Sequence, residues 1–199
     1  EKDASPVKGA FKNPVSVKID AADACPVFLG RYIRGVKNGA SPAELQNKLK
    51  AIGLRPISRL VDVTNFFSID SCRPLHVFDA KKLKGNITVR AAKKGETLEA
   101  LNDKTYTLDD GMTVVCDESG VIGLGGVMGG TGTAVDDGTV DVYLECAYFD
   151  PYRTAKTGRA LDIISDARYR FERGIDPAFP IAGMELATKM IVDLFGGVP

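Results

Sequence analysis

Between Val140 and Ala147 the chain alternates strictly: Val140, Val142, Leu144 and Cys146 interleave with Asp141, Tyr143, Glu145 and Ala147. Successive side chains of a strand point to opposite faces, so this pattern predicts a β-strand that buries one face. The same parity turns Glu145 to the other face. Taken alone, that carboxylate reads as a solvated surface group. If a second layer covers it, it becomes an acceptor in need of a donor.

The remaining segments supply both strands and helices. Val15, Val17 and Ile19 alternate and predict a strand, and Val27–Val36 predicts a second. A helix follows, with Ser41 as N-cap, Pro42 in its first position, Glu44 completing a capping box and Gly53 as its stop. Residues 59–70 fit either a helix or a buried strand. Ile87–Ala91, Thr113–Cys116 and Val121–Leu124 read as short strands, followed by a glycine-rich loop, Gly123–Gly132. In the last third, Asp150-Pro151 starts one helix and Ser165 or Asp166 caps another. Asp176-Pro177 starts a third that ends at Gly196-Gly197. The expected architecture is one α+β unit over residues 20–197, with residues 1–19 as a linker or lead-in from a preceding domain. A polar start without an initiator methionine reads as a piece of a longer polypeptide.

Composition excludes more than it suggests. The chain has 199 residues, enough to bury a sizeable core. Its 26 Lys and Arg balance 26 Asp and Glu, so bulk charge does not grip nucleic acid. Any contact with RNA has to use a local patch or other domains. The candidate patch holds Arg153, Lys156, Arg159, Arg168, Arg170 and Arg173, and an ordinary charged helix surface fits the same residues. Four scattered cysteines and one histidine make no common zinc site. Free thiols in a reducing cytoplasm are expected. Neither a signal peptide nor a membrane-spanning apolar run is present.

The lone histidine, His76, lies in a segment dense in polar groups. Arg59, Asp62, Thr64 and Asn65 precede it, interleaved with Val61, Val63, Phe66 and Phe67. Such a segment holds polar groups at the edge of a core, within reach of a ligand. His76 suits a general base, a hydrogen-bonding group or a core histidine equally well, and no triad partner accompanies it. Thr64 and Asn65 could cap or bridge backbone groups, and Arg59 could pair with Asp62. The glycine loop fails as a P-loop, because Thr131 stands where the lysine belongs. Its glycines still let a backbone approach a ligand closely, and a tight turn without a ligand fits them as well.

Arg59–Asn65 (RLVDVTN), Pro74–Asp79 (PLHVFD), Gly126–Gly130 (GVMGG), Leu144–Pro151 (LECAYFDP) and Ser165–Pro177 (SDARYRFERGIDP) stand in an order and spacing that resembles one family. It is the editing module in the beta subunit of bacterial phenylalanyl-tRNA synthetase, over roughly residues 20–197. The resemblance implies a three-layer α+β unit containing a β-sandwich with peripheral helices. It implies hydrolysis of tyrosine wrongly esterified to phenylalanine tRNA. By resemblance, Glu145 accepts the tyrosine hydroxyl, Gly129 and Gly130 line the amino-acid pocket, and Ala167 leaves it room. Ser165 stands where the family has threonine. His76, Asn65, Thr64 and Arg59 surround the ester and terminal adenosine, with His76 and Asn65 as the expected catalytic pair.

The implied partners are phenylalanine tRNA, the other beta-subunit domains and an alpha subunit. ATP and magnesium serve the parent enzyme, and no cofactor is expected in this piece. A non-catalytic binding module of the same fold and a free-standing deacylase are the alternatives. The chain departs from the family at Ser68–Arg73, where a stretch ending in Gly-Gln is usual. It departs again at Ser165 and at Arg168, where serine is common. The first two departures point to the pocket rim, the third to tRNA contact or a helix surface.

Overall fold

The alternating segment forms a strand, Val142–Tyr148, and both of its faces are covered. The computed structural model describes residues 4–199; positions 1–3 of the expected lead-in lie outside the described residues. The elements are β1 (Val17–Ile19), β2 (Val27–Ile33), α1 (Ala43–Ala51), α2 (Arg59–Asp70), β3 (His76–Asp79), β4 (Ile87–Ala91), β5 (Thr97–Glu99) and β6 (Thr105–Thr107). They continue with β7 (Thr113–Asp117), β8 (Gly120–Leu124), β9 (Met128–Gly129), β10 (Val142–Tyr148), α3 (Pro151–Ala160), α4 (Asp166–Phe171) and α5 (Pro180–Phe195).

The strand β10 is the middle of a three-stranded antiparallel sheet, β2-β10-β3. Its odd-numbered residues Tyr143 and Ala147, with Phe28 of β2 and Phe78 of β3, face Ile87, Val89, Val115 and Ile122 of a five-stranded sheet, β1-β4-β7-β8-β9. Its even-numbered residues Val142, Leu144 and Cys146 face α1, α2 and α5 through Leu49, Leu60, Val63, Phe67, Met184 and Ile191. A third core lies beneath the other face of the five-stranded sheet, where Val114, Cys116 and Leu124 meet Leu98 and Leu108 around the β5-β6 hairpin. The architecture is therefore α+β, with two sheets face to face and helices outside one of them. Among the described residues no helix is long and apolar enough to cross a membrane.

The ambiguous segment 59–70 is a helix, because its apolar residues Leu60, Val63 and Phe67 fall on one side and meet β10. The start of α1 differs from the expected capping box. Pro42 is its N-cap and no side chain caps it. The Ser41 hydroxyl instead donates to Asp62 Oδ2 at 2.6 Å, and Glu44 pairs with Lys48. Asp62 is buried and also accepts from the Ile57 backbone N–H at 2.8 Å. Hence it does not pair with Arg59, whose guanidinium donates to the carbonyls of Ala40 and Lys37.

Asp176-Pro177 is a turn rather than a helix start. The Asp176 side chain accepts from the Ala178 N–H, and α5 begins at Pro180. That turn is pinned by Arg73, which is 1% exposed and donates to the carbonyls of Asp176 and Ala147. Of the departing stretch Ser68–Arg73, Arg73 thus enters the helix side of the sheet, while Ser68 lines an outer groove. The lead-in is also tied down: the Val7 N–H donates to Glu185, and the Arg34 guanidinium lies 3.9 Å from the Phe11 ring centroid.

Asp62 joins α1 to α2 through the hydroxyl and N–H it accepts. In urea unfolding, Asp62→Ala is expected to lower stability by roughly 1–3 kcal/mol, because the Ser41 hydroxyl is left buried without a partner and the Ile57 N–H loses its acceptor. Ser41→Ala, which leaves the bond from Ile57 in place, is expected to lower it by about 1 kcal/mol.

Candidate functional site

In the β3-β10 ladder His76 stands directly opposite Glu145, and in the β2-β10 ladder Gly30 does. Residues opposite one another in an antiparallel pair share a face, so Glu145 and His76 both enter the space between the two sheets. Glu145 is 9% exposed, which excludes a solvated carboxylate. Its side chain has no hydrogen-bond partner among the described residues. Burial pushes its pKa up to about 8. Nearby, the Cys25 thiol is pushed up to about 12, first by burial and then by Glu145.

His76 packs edge-on against Phe78, with ring centroids 4.4 Å apart. Its Nε2 is buried without a partner. Burial pushes its pKa down to about 4, so the imidazole is neutral at pH 7. Gly129 of β9 makes this position possible. A Cβ there would stand 2.4 Å from the His76 Cε1, so only glycine lets the β9 backbone close over the ring.

These groups border two adjoining spaces. An inner cavity of about 70 Å³ lies between the sheets, lined by Glu145, Phe78, Phe149, Phe171 and Val115. An outer groove of about 510 Å³ is lined by Thr64, Asn65, Leu101, Asn102, Ser165 and Asp166. Leu75, His76, Val127, Met128, Gly129 and Ala167 border both. The inner space is walled by aromatic side chains, glycine backbone, His76 and the Glu145 carboxyl group, which has no hydrogen-bond partner; the outer groove is mostly aliphatic, through Val61, Val77 and Val135, with the Asn65 and Asn102 amides and the Thr64 hydroxyl among them. An aromatic pocket with one free carboxyl group, beside a larger groove with a few amide and hydroxyl groups, suits a ligand with an aromatic end that carries a polar substituent.

The structure brings together most of the residues the sequence singles out. Glu145, Gly129 and Ala167 line the inner cavity; His76 borders both spaces; Asn65, Thr64 and Ser165 line the groove. Ser165 is committed locally, since it caps α4 and donates to the Val127 carbonyl at 2.6 Å. Thr64 donates to the Val61 carbonyl one turn back. Two residues lie elsewhere. Arg59 lines neither space, because the 37–40 loop carbonyls take its guanidinium. Gly130 lines neither; its N–H donates to Ile122, where a Cβ would stand 2.8 Å from the Ile122 oxygen. The glycine-rich segment as a whole is the β8-β9 hairpin and its turns rather than a free loop.

Of the six residues of the candidate basic patch, four are paired. Arg153 pairs with Asp23, Arg170 with Asp166, and Arg168 and Arg173 with Glu172. Arg168 also crosses Gly158 of α3 and donates to the Ile163 carbonyl, so it braces two helices instead of facing solvent. Sequence reasoning missed Phe78, Met128, Phe149 and Phe171, which lie inside the quoted motifs, and Leu101 and Asn102, which lie in none. The last two arrive because the Leu101 N–H donates to the Gly129 carbonyl, a contact with no local signature.

A model of the B3/4 domain family matches residues 24–196. The phenylalanine–tRNA ligase beta subunit of Paramagnetospirillum magneticum is 61% identical over 196 residues, covering 96% of this chain and 25% of that protein. The corresponding subunit of Bradyrhizobium diazoefficiens is 56% identical, covering 98% of this chain and 24% of that protein. The chain thus spans about a quarter of the length of these curated relatives. An N-terminal fragment of the phenylalanyl-tRNA synthetase beta subunit from Pyrococcus horikoshii shares the fold, with a TM-score of 0.55 and 17% identity over 71% of this chain and 45% of that one.

The opposite pKa shifts of the facing pair set a stability profile. Glu145 is raised, so the stability it permits is complete below about pH 4.5 and declines as pH rises to about 8. His76 is depressed, so its contribution is present above about pH 6.5 and is lost as pH falls toward 4. Urea midpoints should show a loss between pH 5 and 8 of at most about 1.4 kcal/mol per pH unit from Glu145. Glu145→Gln should remove that alkaline slope and leave the acid limb due to His76.

Proposed function

Because this chain belongs to the B3/4 domain family, with relatives that are phenylalanine–tRNA ligase beta subunits, we propose that it is the part of such an enzyme that hydrolyses tyrosine misattached to phenylalanine tRNA. The observation that carries this reading is the buried carboxyl group of Glu145, without a hydrogen-bond partner, in a cavity walled by Phe78, Phe149 and Phe171 that shares His76 and Gly129 with a larger groove lined by Thr64 and Asn65. The longer enzyme would join phenylalanine to its tRNA with ATP and magnesium, together with an alpha subunit, in the cytoplasm.

The need for such a site follows from physical chemistry. A synthetic pocket shaped for phenylalanine rejects an added hydroxyl by only on the order of a hundredfold. A second site that requires the hydroxyl supplies the rest. In the inner cavity the tyrosine ring lies among Phe78, Phe149 and Phe171, and its hydroxyl satisfies Glu145. Phenylalanine would leave that group unpaired. Met128, unbranched and flexible, stands between cavity and groove and yields to admit the ring.

The ester then lies beside His76 and Asn65, and the terminal adenosine lies in the outer groove. A histidine held near pKa 4 is a weak base. Its task is to orient water or a ribose hydroxyl through the unpartnered Nε2, assisted by the substrate's vicinal hydroxyl. The water oxygen bonds to the ester carbonyl carbon; as that tetrahedral adduct collapses, the bond from carbon to the ribose oxygen breaks and the ribose oxygen takes the proton given up by the water.

Single-turnover hydrolysis of tyrosyl- and phenylalanyl-tRNA by the full assembly tests this. Glu145→Ala should reduce the preference for the tyrosyl ester roughly five- to hundredfold, the loss of about 1–3 kcal/mol. His76→Ala should slow the tyrosyl reaction about ten- to hundredfold with the preference retained. Hydrolysis of tyrosyl-tRNA no faster than in buffer would leave a binding module only.

A further inference from the structure

The groups packed around Glu145 leave its charge without support. From β2 and its approach come Gly30, which has no side chain, and Cys25. From β3 comes His76, depressed by its own burial. From β10 come Tyr143 on the same face and the Cys146 thiol on the other. The β7-β9 side and α4 contribute Val115, Met128, Gly129, Ala167 and Phe171. The charged residues of α4 are engaged elsewhere: Asp166 with Arg170, and Arg168 with Glu172 and the Ile163 carbonyl. Arg31 pairs with Glu185 and Arg73 donates to backbone carbonyls of Ala147 and Asp176. Among the described residues no cation pairs with Glu145.

A carboxylate removed from water without a cation or donors neutralises rather than remain charged. A neutral carboxyl group has a different vocabulary from a carboxylate. It donates one hydrogen bond through its O–H and accepts through its carbonyl, whereas a carboxylate only accepts. The phenol of tyrosine, a donor and an acceptor, satisfies either form. An acceptor-only substituent satisfies the acid alone, because against a carboxylate it would bring two lone pairs together.

We propose that Glu145 meets its ligand as a carboxylic acid, so that the inner cavity selects phenylalanine side chains whose para substituent accepts a hydrogen bond, nitriles and ketones included, and not only the phenol. This rests on the editing reading for the identity of the ligand. The consequence is a wider sieve: the site clears a class of para-polar phenylalanine analogues, and its breadth narrows in alkaline solution as the acid ionises.

The test uses para-cyano- and para-ethynyl-phenylalanine, which have nearly the same shape but differ in that only the nitrile is a good acceptor. Each is joined to adenosine through an amide that resists hydrolysis, and binding is measured by calorimetry from pH 6 to 9. The nitrile is expected to bind about three- to tenfold more tightly near pH 6.5, the worth of one neutral hydrogen bond. The difference should vanish toward pH 9. In Glu145→Gln the ratio should be independent of pH, because an amide does not titrate.

Equal binding of the two probes at pH 6.5, or tighter binding of the ethynyl probe, overturns the proposal. So does a carbon-13 carboxyl signal, assigned by its loss in Glu145→Gln, that titrates in the ordinary glutamate range. These readouts need no ester hydrolysis. Intact para-cyano selectivity with no deacylation of tyrosyl-tRNA would reject the hydrolytic reading and keep the acid; deacylation with an ionised Glu145 would do the reverse.

Discussion

The fold depends on β10 being buried on both faces. A strand with one wet face needs only one core. This one lies between two cores, the inter-sheet core through Tyr143 and Ala147 and the helix-side core through Val142, Leu144 and Cys146. Its neighbours β2 and β3 pair along its length, so any shift in register would exchange the two cores. The same constraint carries Glu145 into the dry space between the sheets and sets His76 opposite it. The candidate site is thus a consequence of how the core is assembled.

Buried polar groups divide into two kinds along this strand. On the helix side most are satisfied, the buried Nε of Arg73 excepted. Asp62 accepts from Ser41 and Ile57, Arg31 pairs with Glu185, and Arg73 donates to two carbonyls. Between the sheets, the His76 Nε2 and the Tyr143 hydroxyl are buried without a partner, and the Glu145 carboxyl group has no hydrogen bond among the described residues. Unsatisfied groups in a core lower stability, and they are tolerated where a ligand supplies the missing partner.

Charge is used in the same local way. Zero net charge argues against a nucleic-acid-binding surface built on bulk attraction, and the pairing of arginines on α3 and α4 with nearby carboxylates removes much of what a basic patch would offer. In the editing reading, the rest of the enzyme holds the tRNA and this unit receives its acylated end.

Elements with a local cause were legible in the residues themselves. The alternation of Val142 to Ala147 marked β10, Asp150-Pro151 and Ser165 marked the starts of α3 and α4, and the quoted motifs contained most of the cavity wall. Where two local rules competed, tertiary contacts chose. Ser41 turned from its helix end to Asp62, because a buried carboxylate needs donors more than a solvated helix start needs a cap. Arg59 and Gly130 sit beside site residues in sequence yet are drawn into a loop and a ladder. Parity along the strand determined that Glu145 faces away from the aliphatic side. Only the packing of a second sheet over that face decided that the carboxyl group is buried, unpartnered and opposite His76, because burial is a property of what covers a residue and not of the residue itself.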